Sequence, residues 1–427
     1  MTHAHQESDR AAFYLRSALV ALIVMLPIEV SALLDAVPGT ADGYSRLVVI
    51  QPFDIALATI ALLGLPGAVE RLRRRDVGWG TGIMLLLLAG AVVSAVFTPT
   101  WRAVALILRL AGLFVTTSFI TQLSPEDRRR FVVAPLLITV GVQALIGIAQ
   151  MANRGPVGLS AWGERSAVDF RLLDGFVAIK GTMIHEYVLT GVAMLAATLG
   201  VVTATRIRPS PAWLAGIALA AVPLGLTYSR MALIGIVLVI AALAWGIARD
   251  PRRYALPTVV LIVAVAVPTI IALDGWKGRT LGDEREGLDR LTTGRVTLLR
   301  EAVTVIGDHA LVGVGPGNYG VTVESEYAAE NPKDVHAVPV LVAAEDGLVW
   351  GIALLVALGG LALGAIRAGP AAVVVFVGFL PFWAFDKFPY SHPNGLVMTA
   401  LWLGMVEALS RESPTQESNA QLTAASA

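Results

Sequence analysis

Twelve stretches of this chain are apolar over a length that spans, or nearly spans, a lipid bilayer. They lie at 12–35, 47–69, 79–97, 102–121, 131–152, 183–204, 211–227, 231–248, 255–273, 338–366, 370–385 and 393–409. A membrane helix needs roughly 20 mostly apolar residues, and a water-soluble core has no room for so many such segments. The fold class that follows is all-α: a polytopic integral membrane protein with about 12 transmembrane helices. Composition agrees, since only 15% of the 427 residues are charged and the mean hydropathy is +0.71. An average soluble domain carries about 25% charged residues. There is no cysteine, which removes disulfides, thiolate catalysis and cysteine-based metal sites. Basic and acidic residues number 32 each, so no basic surplus points to nucleic acid. The first ten residues include His3, His5, Glu7 and Asp9 with Arg10 as their one basic residue, which does not suit a cleavable signal.

The short loops are sorted by charge. Loops after even-numbered stretches hold thirteen basic residues, among them Arg71, Arg73–Arg75, Arg128–Arg130, Arg206, Arg249 and Arg367. The short loops on the other side hold Arg46, Arg102, Arg230 and Lys387. The positive-inside rule therefore places both termini in the cytoplasm. The expected organisation is a cytoplasmic arm at 1–11, helices one to nine at 12–273, a large outer loop at 274–337, helices ten to twelve at 338–409, and a disordered cytoplasmic tail at 410–427. The large loop is too long for a connector and should hold helices of its own.

Polar chemistry collects at the outer face. Of six histidines, His185, His309, His336 and His392 all map there. Glu29, Asp54 and Arg109 share a depth near ~10 Å inside their stretches, about seven residues at the helical rise. Equal depth allows them to pair, either as glue between helices or to shape a headgroup site. Tyr228-Ser229-Arg230 forms a hairpin that leaves Arg230 at the outer surface, where a guanidinium can fork onto phosphate oxygens or simply snorkel. The segment 288–306 has amphipathic helical spacing, with Leu288, Leu291, Leu298, Leu299, Ala302 and Ile306 on one stripe. Arg295 falls on that stripe, whereas Arg290 and Arg300 fall off it. A charge on the buried side needs an anionic partner, from a ligand or from the protein. A glycine-rich turn follows, Gly313-Val314-Gly315-Pro316-Gly317-Asn318-Tyr319, which reads mainly as a structural reversal and lacks the Lys-Ser/Thr of a nucleotide loop. His336 precedes the tenth stretch, with Glu345, Asp346 and Gly347 expected inside its first turns. A neutral imidazole there suits a general base or a capping role. No metal-ligand spacing is present, and no cofactor is expected.

These residues carry a resemblance. The blocks Leu226-Thr227-Tyr228-Ser229-Arg230, Gly294-Arg295 through Tyr319, His336 with Glu345-Asp346-Gly347, and Gly181-Thr182 with His185 resemble, in order and spacing, the O-antigen ligase-like family of bacterial membrane glycosyltransferases. That family includes O-antigen ligases, Wzy-type polysaccharide polymerases and protein O-oligosaccharyltransferases. The resemblance implies a GT-C-like helical enzyme in the bacterial inner membrane, with its site and long helical loop open to the periplasm. It implies an undecaprenyl-pyrophosphate-linked glycan as donor, a hydroxyl of a glycan, lipid or protein as acceptor, and no metal or nucleotide sugar. Carried over by motif, Arg230 and Arg295 engage the pyrophosphate and His336 acts near the acceptor. Ser229, Arg300, His185, Glu345 and Arg109 are supporting candidates. Ala337, Val338 and Pro339 after His336, Tyr187 near His185 and Ala310 before the turn depart from the family pattern, which leaves the acceptor open. The activity that follows is metal-independent, inverting transfer of the ligase type, with a polymerase as the alternative. A flippase or a non-catalytic scaffold is the reading from another class. A midplane site and an inverted repeat would favour transport.

Overall fold

The computed structural model describes residues 2–28, 32–35, 48–173, 175–281, 295–323 and 334–412. The chain is helical nearly throughout. In order it forms α1 (Thr2–Val24), strands β1 (Ala32–Asp35) and β2 (Val48–Ile50), α2 (Phe53–Arg73), α3 (Trp79–Phe97) and α4 (Trp101–Gln122). Next come α5 (Pro125–Asn153), the short strands β3 (Leu172–Leu173) and β4 (Phe176–Val177), α6 (Glu186–Ala204), α7 (Pro211–Leu226), α8 (Arg230–Arg249) and α9 (Pro251–Ile271). The large loop contributes α10 (Leu273–Leu281), α11 (Arg295–Asp308) and α12 (Tyr319–Thr322). The chain closes with α13 (Val338–Asp346), α14 (Leu348–Ala368), α15 (Pro370–Phe385), α16 (Phe388–Ser391) and α17 (Pro393–Arg411).

Among the described residues, eight helices are long and apolar enough to cross a membrane: α2 to α6, α8, α9 and α14. The helices α7 and α15 are apolar but shorter. The protein is thus an all-α polytopic membrane protein. Small residues set its centre. Helix α6 is 89% buried over its apolar window and is built on Gly191, Ala193, Ala196, Ala197 and Gly200. A side chain at Gly191 would meet the Phe388 ring at 2.5 Å, so glycine there lets α16 approach closely. Helix α17 is buried from Asn394 to Leu409 and packs on α4, α14 and α15. The outer helices turn Leu62, Val96, Leu108 and Val237 outward, the pattern expected when the surrounding medium is lipid.

Three sequence expectations change. The first stretch, 12–35, does not stay helical: α1 ends at Val24, and Ala32–Asp35 pairs antiparallel with Val48–Ile50. Pro27 has no amide hydrogen to continue the helix, Pro52 delays the next one, and β-branched Val48, Val49 and Ile50 suit a strand between them. The tenth stretch, 338–366, is two helices broken at Gly347, whose φ of 107° opens a sharp turn. A side chain there would lie 2.5 Å from the Leu311 carbonyl. Glu345 and Asp346 therefore end a short helix and do not begin a spanning one. The amphipathic helix expected at 288–306 is described as Arg295–Asp308, and its first residues, with Arg290, lie outside the described residues. Its buried face is Leu298, Ala302 and Val305, whereas Leu299 is exposed.

Charges at the end of the bundle bearing the arginine-rich loops are bonded together. Glu407 on α17 accepts hydrogen bonds from the amides of Gly78 (3.2 Å) and Thr81 (2.6 Å) at the start of α3. The same carboxylate meets Arg411 at 2.9 Å and Arg71 at 3.5 Å. Glu412 bridges Arg128 and Arg206. The loop after α2, the start of α5 and the loop after α6 are thereby fastened to the C-terminal end of the chain's last described helix.

Candidate functional site

The opposite end of the bundle gathers the sequence-singled residues. Helix α7 stops at Leu226, and the Thr190 hydroxyl donates to Thr227 Oγ1 at 2.8 Å, fixing the hairpin to α6. Tyr228 holds φ +53°, a left-handed conformation that is unusual for a residue with a side chain. Its buried ring packs edge-on against Trp276 of α10 at 5.5 Å, and Trp276 donates to the Gly225 carbonyl at 2.9 Å. The sharp turn delivers Ser229 as the residue before α8, with no side-chain cap bond, and Arg230 as its first residue. A cation at a helix N-terminus opposes the helix dipole, so helix stability does not account for Arg230. Its Nη2 donates to the backbone carbonyl of Arg279 at 3.1 Å.

Arg295 opens α11 and points back toward the same place. Its Nη1 lies 3.9 Å from the Met231 sulfur, next to Arg230 in the chain, and its Nη2 lies 3.9 Å from Asp386. That separation is well beyond the roughly 2.7–2.9 Å of a tight charge-assisted bond. Asp386 is itself occupied, accepting from the amides of Lys387 (2.7 Å) and Phe388 (3.3 Å). Burial lowers the Arg295 pKa, Asp386 opposes that, and Arg230 adds to it. A guanidinium remains charged throughout.

His336 sits in the extended segment before α13. Its Nδ1 is 3.0 Å from the carbonyl of Asp334. A carbonyl can only accept, so Nδ1 carries the proton and Nε2 presents a lone pair. Asp334 is buried and paired with Lys387 at 3.1 Å, which fixes the segment. Burial pushes the His336 pKa down to about 4, with Lys387 and Arg295 acting in the same direction against Asp386 and Asp334. The imidazole is neutral at neutral pH.

His185, just before α6, lies 3.0 Å from Glu186 through Nδ1 and stacks on Tyr187 with ring centres 4.3 Å apart. The other side of Tyr187 faces His392 at 6.4 Å. Three of the four outer histidines thus surround this end, while His309 is exposed at the far end of α11. Glu345 is turned inward. Its carboxylate accepts from the Tyr319 amide at 3.3 Å and from the Gly317 amide, and its carbonyl accepts from Gly315 at 2.9 Å. Three amides of the glycine-rich turn, those of Gly315, Gly317 and Tyr319, are therefore directed at Glu345. Gly313, at φ +65°, is fixed as glycine because a side chain would lie 2.2 Å from the Glu345 carbonyl. Two further backbone bonds, Val314 to Ala344 (3.0 Å) and Leu348 to Ala310 (2.9 Å), join the end of α11 to α13 and α14.

The remaining candidates stand apart. Arg300 is exposed on the outer side of α11. Arg109 forks onto Asp54 at 3.0 and 2.8 Å, bonding α4 to α2, while Glu29 lies outside the described residues. Sequence reasoning passes over Asp386, Arg171 and Arg279, and it reads Lys387 only as a loop charge. One signal was available, because Asp386 and Lys387 are the only charged residues between Arg367 and Glu407.

Among the described residues, no three His, Asp or Glu side chains group as a metal site. No curated protein matches the chain. Residues 214–356, about a third of the chain, match the family model described as O-Antigen ligase, and the chain is similar to that family over this segment, which contains Arg230, Arg295 and His336.

Proposed function

We propose that this protein transfers a glycan from undecaprenyl pyrophosphate to an acceptor hydroxyl at the periplasmic face of the bacterial inner membrane, with both termini cytoplasmic and with O-antigen ligation as its reaction. The observation that carries the reading is the meeting of Arg230 and Arg295, from two different helices, with Arg295 in the electrostatic surroundings of a neutral histidine whose Nε2 can accept a proton. The pyrophosphate of the donor binds the two guanidinia. As the bond from the anomeric carbon to the phosphate oxygen breaks, negative charge grows on that oxygen, and preorganised cations stabilise it. His336 takes the proton of the acceptor hydroxyl as the new glycosidic bond forms. A single displacement inverts the anomeric centre.

The test is transfer by purified protein from a lipid-linked glycan donor. Arg230→Ala and Arg295→Ala are each expected to lower turnover about 10²–10³-fold, the usual effect of removing one preorganised charge stabiliser. Arg295→Lys should recover only part of the loss if the contact is a two-pronged fork. Full turnover in both alanine variants would remove the reading, and movement of donor across vesicles without glycosidic chemistry would replace it with transport. Deleting the gene separates the acceptors. Loss of a ligase leaves long polymer on the carrier, whereas loss of a polymerase leaves single repeats on their normal acceptor.

A further inference from the structure

The other end of the bundle holds a cleft that the proposed glycan transfer does not use. It opens between the start of α5, the end of α6 with the turn that follows, and the last turns of α17, and it encloses about 580 Å³ with its mouth included. Small-molecule sites span roughly 300–1,000 Å³. Arg128, Arg129 and Arg206 form its cationic side, and Val133, Leu199 and Met405 are among its apolar walls. A free anion needs no apolar wall, whereas an amphiphile with an anionic head uses both surfaces. The backbone here is unusual as well. Arg129–Val133 form a single π-helical turn inside α5, in which the Ala134 amide reaches the Arg129 carbonyl five residues back. Such turns are rare and frequently lie at functional sites.

Glu412 shows what these arginines take. It follows the last residue of α17, where a carboxylate opposes the helix dipole, so helix stability does not account for its place. Arg128 and Arg206 hold it there, each on a different one of its two oxygens. The acids on the first turn of α5 are engaged separately, Asp127 by Arg16 at 2.8 Å and Glu126 by Arg129. Two guanidinia on the two oxygens of one carboxylate is an arrangement that a phosphodiester, with its two unesterified oxygens, also satisfies.

We propose that this cleft binds the phosphodiester head of an anionic phospholipid, and that Glu412 is the built-in carboxylate which the lipid displaces. On the orientation proposed above, the cleft meets the cytoplasmic leaflet, where anionic lipids collect and basic pockets between helices hold their heads. The phosphate takes the place of Glu412 between Arg128 and Arg206, and Arg129 stands at the more exposed side. Lipid binding then exchanges a tie from α17 to α5 and α6 for a tie from α5 and α6 to the membrane. No residue is shared with the pyrophosphate site, so the two readings stand or fall separately.

The experiment follows thermal unfolding of the full chain, freed of lipid in an uncharged detergent, while phosphatidylglycerol is titrated. The parent is expected to gain stability saturably, and phosphatidylcholine, whose head has no net charge, to give less at every concentration. Arg206→Gln, which leaves the buried Arg128 in place, should need about tenfold more phosphatidylglycerol, the worth of one charge-assisted hydrogen bond. Glu412→Gln should start from a lower melting point yet need about tenfold less lipid, because no carboxylate has to leave. A lower starting point with an unchanged lipid midpoint in Glu412→Gln would overturn its role as the displaced occupant. Equal effects of the two lipids on the parent, or a parent-like midpoint in Arg206→Gln, overturn the site. If glycerol phosphate without acyl chains stabilises the parent as well as phosphatidylglycerol does, the apolar walls contribute nothing and the lipid assignment falls.

Discussion

Glycan transfer by a His336→Ala variant is expected to fall about 10²–10⁴-fold, the range a positioned general base contributes. The expectation follows from geometry. The Asp334 carbonyl occupies Nδ1, which leaves Nε2 for the acceptor proton. It also fixes the pH behaviour. With the His336 pKa held down at about 4, the neutral imidazole persists far below the usual histidine range. The base is lost only as pH falls through about 4, so kcat/KM, which reports the free enzyme, should stay level from pH 8 to about 5. An acid limb near pH 6.5 that vanishes in His336→Ala would contradict the buried environment. Unchanged transfer in that variant would contradict the role.

The second large effect is on stability, at the opposite end of the molecule. Glu407→Ala strips the amides of Gly78 and Thr81 of their acceptor and removes one of the two carboxylates that meet buried Arg71, leaving Asp76 as the other. Each buried hydrogen-bonding group left without its partner costs about 1–3 kcal/mol. Glu407→Gln keeps an oxygen acceptor and should lose less. Thermal unfolding in detergent reads both, and melting of Glu407→Ala at the parent temperature would show that α17 is not fastened through this carboxylate.

Hydropathy made most helices visible, because a bilayer rewards long unbroken apolar runs and little else. Trp79–Phe97 and Pro370–Phe385 coincide with their expected bounds for that reason. The failures have physical causes too. Periodicity cannot tell a short strand from a helix end, so Ala32–Asp35 reads as part of the first stretch. The break at Gly347 depends on backbone from Ala310 and Leu311, which no local pattern announces. In the site, Arg230 stands out by its isolation among apolar residues, Arg295 by its place on an apolar stripe, and both by resemblance. Arg279 does not, since it lies among other charged residues of the large loop and meets Arg230 only once α10 is folded. Lys387 was counted as a loop charge, although it is the partner of Asp334.

The bonds between the end of α11 and the start of α13 and α14 bear on evolution as well as on chemistry. Arg295 and His336 belong to one stitched frame, through Val314–Ala344, Gly315–Glu345 and Leu348–Ala310. The separation of Arg295 from His336 is then a fixed gauge, set by the fold and costly to retune. The rings of His185, Tyr187 and His392 stand on other elements, outside that frame. Substitutions there can change the lining of this end without moving Arg295 or His336, so under the proposed transfer a lineage could change its acceptor while keeping those two residues in place.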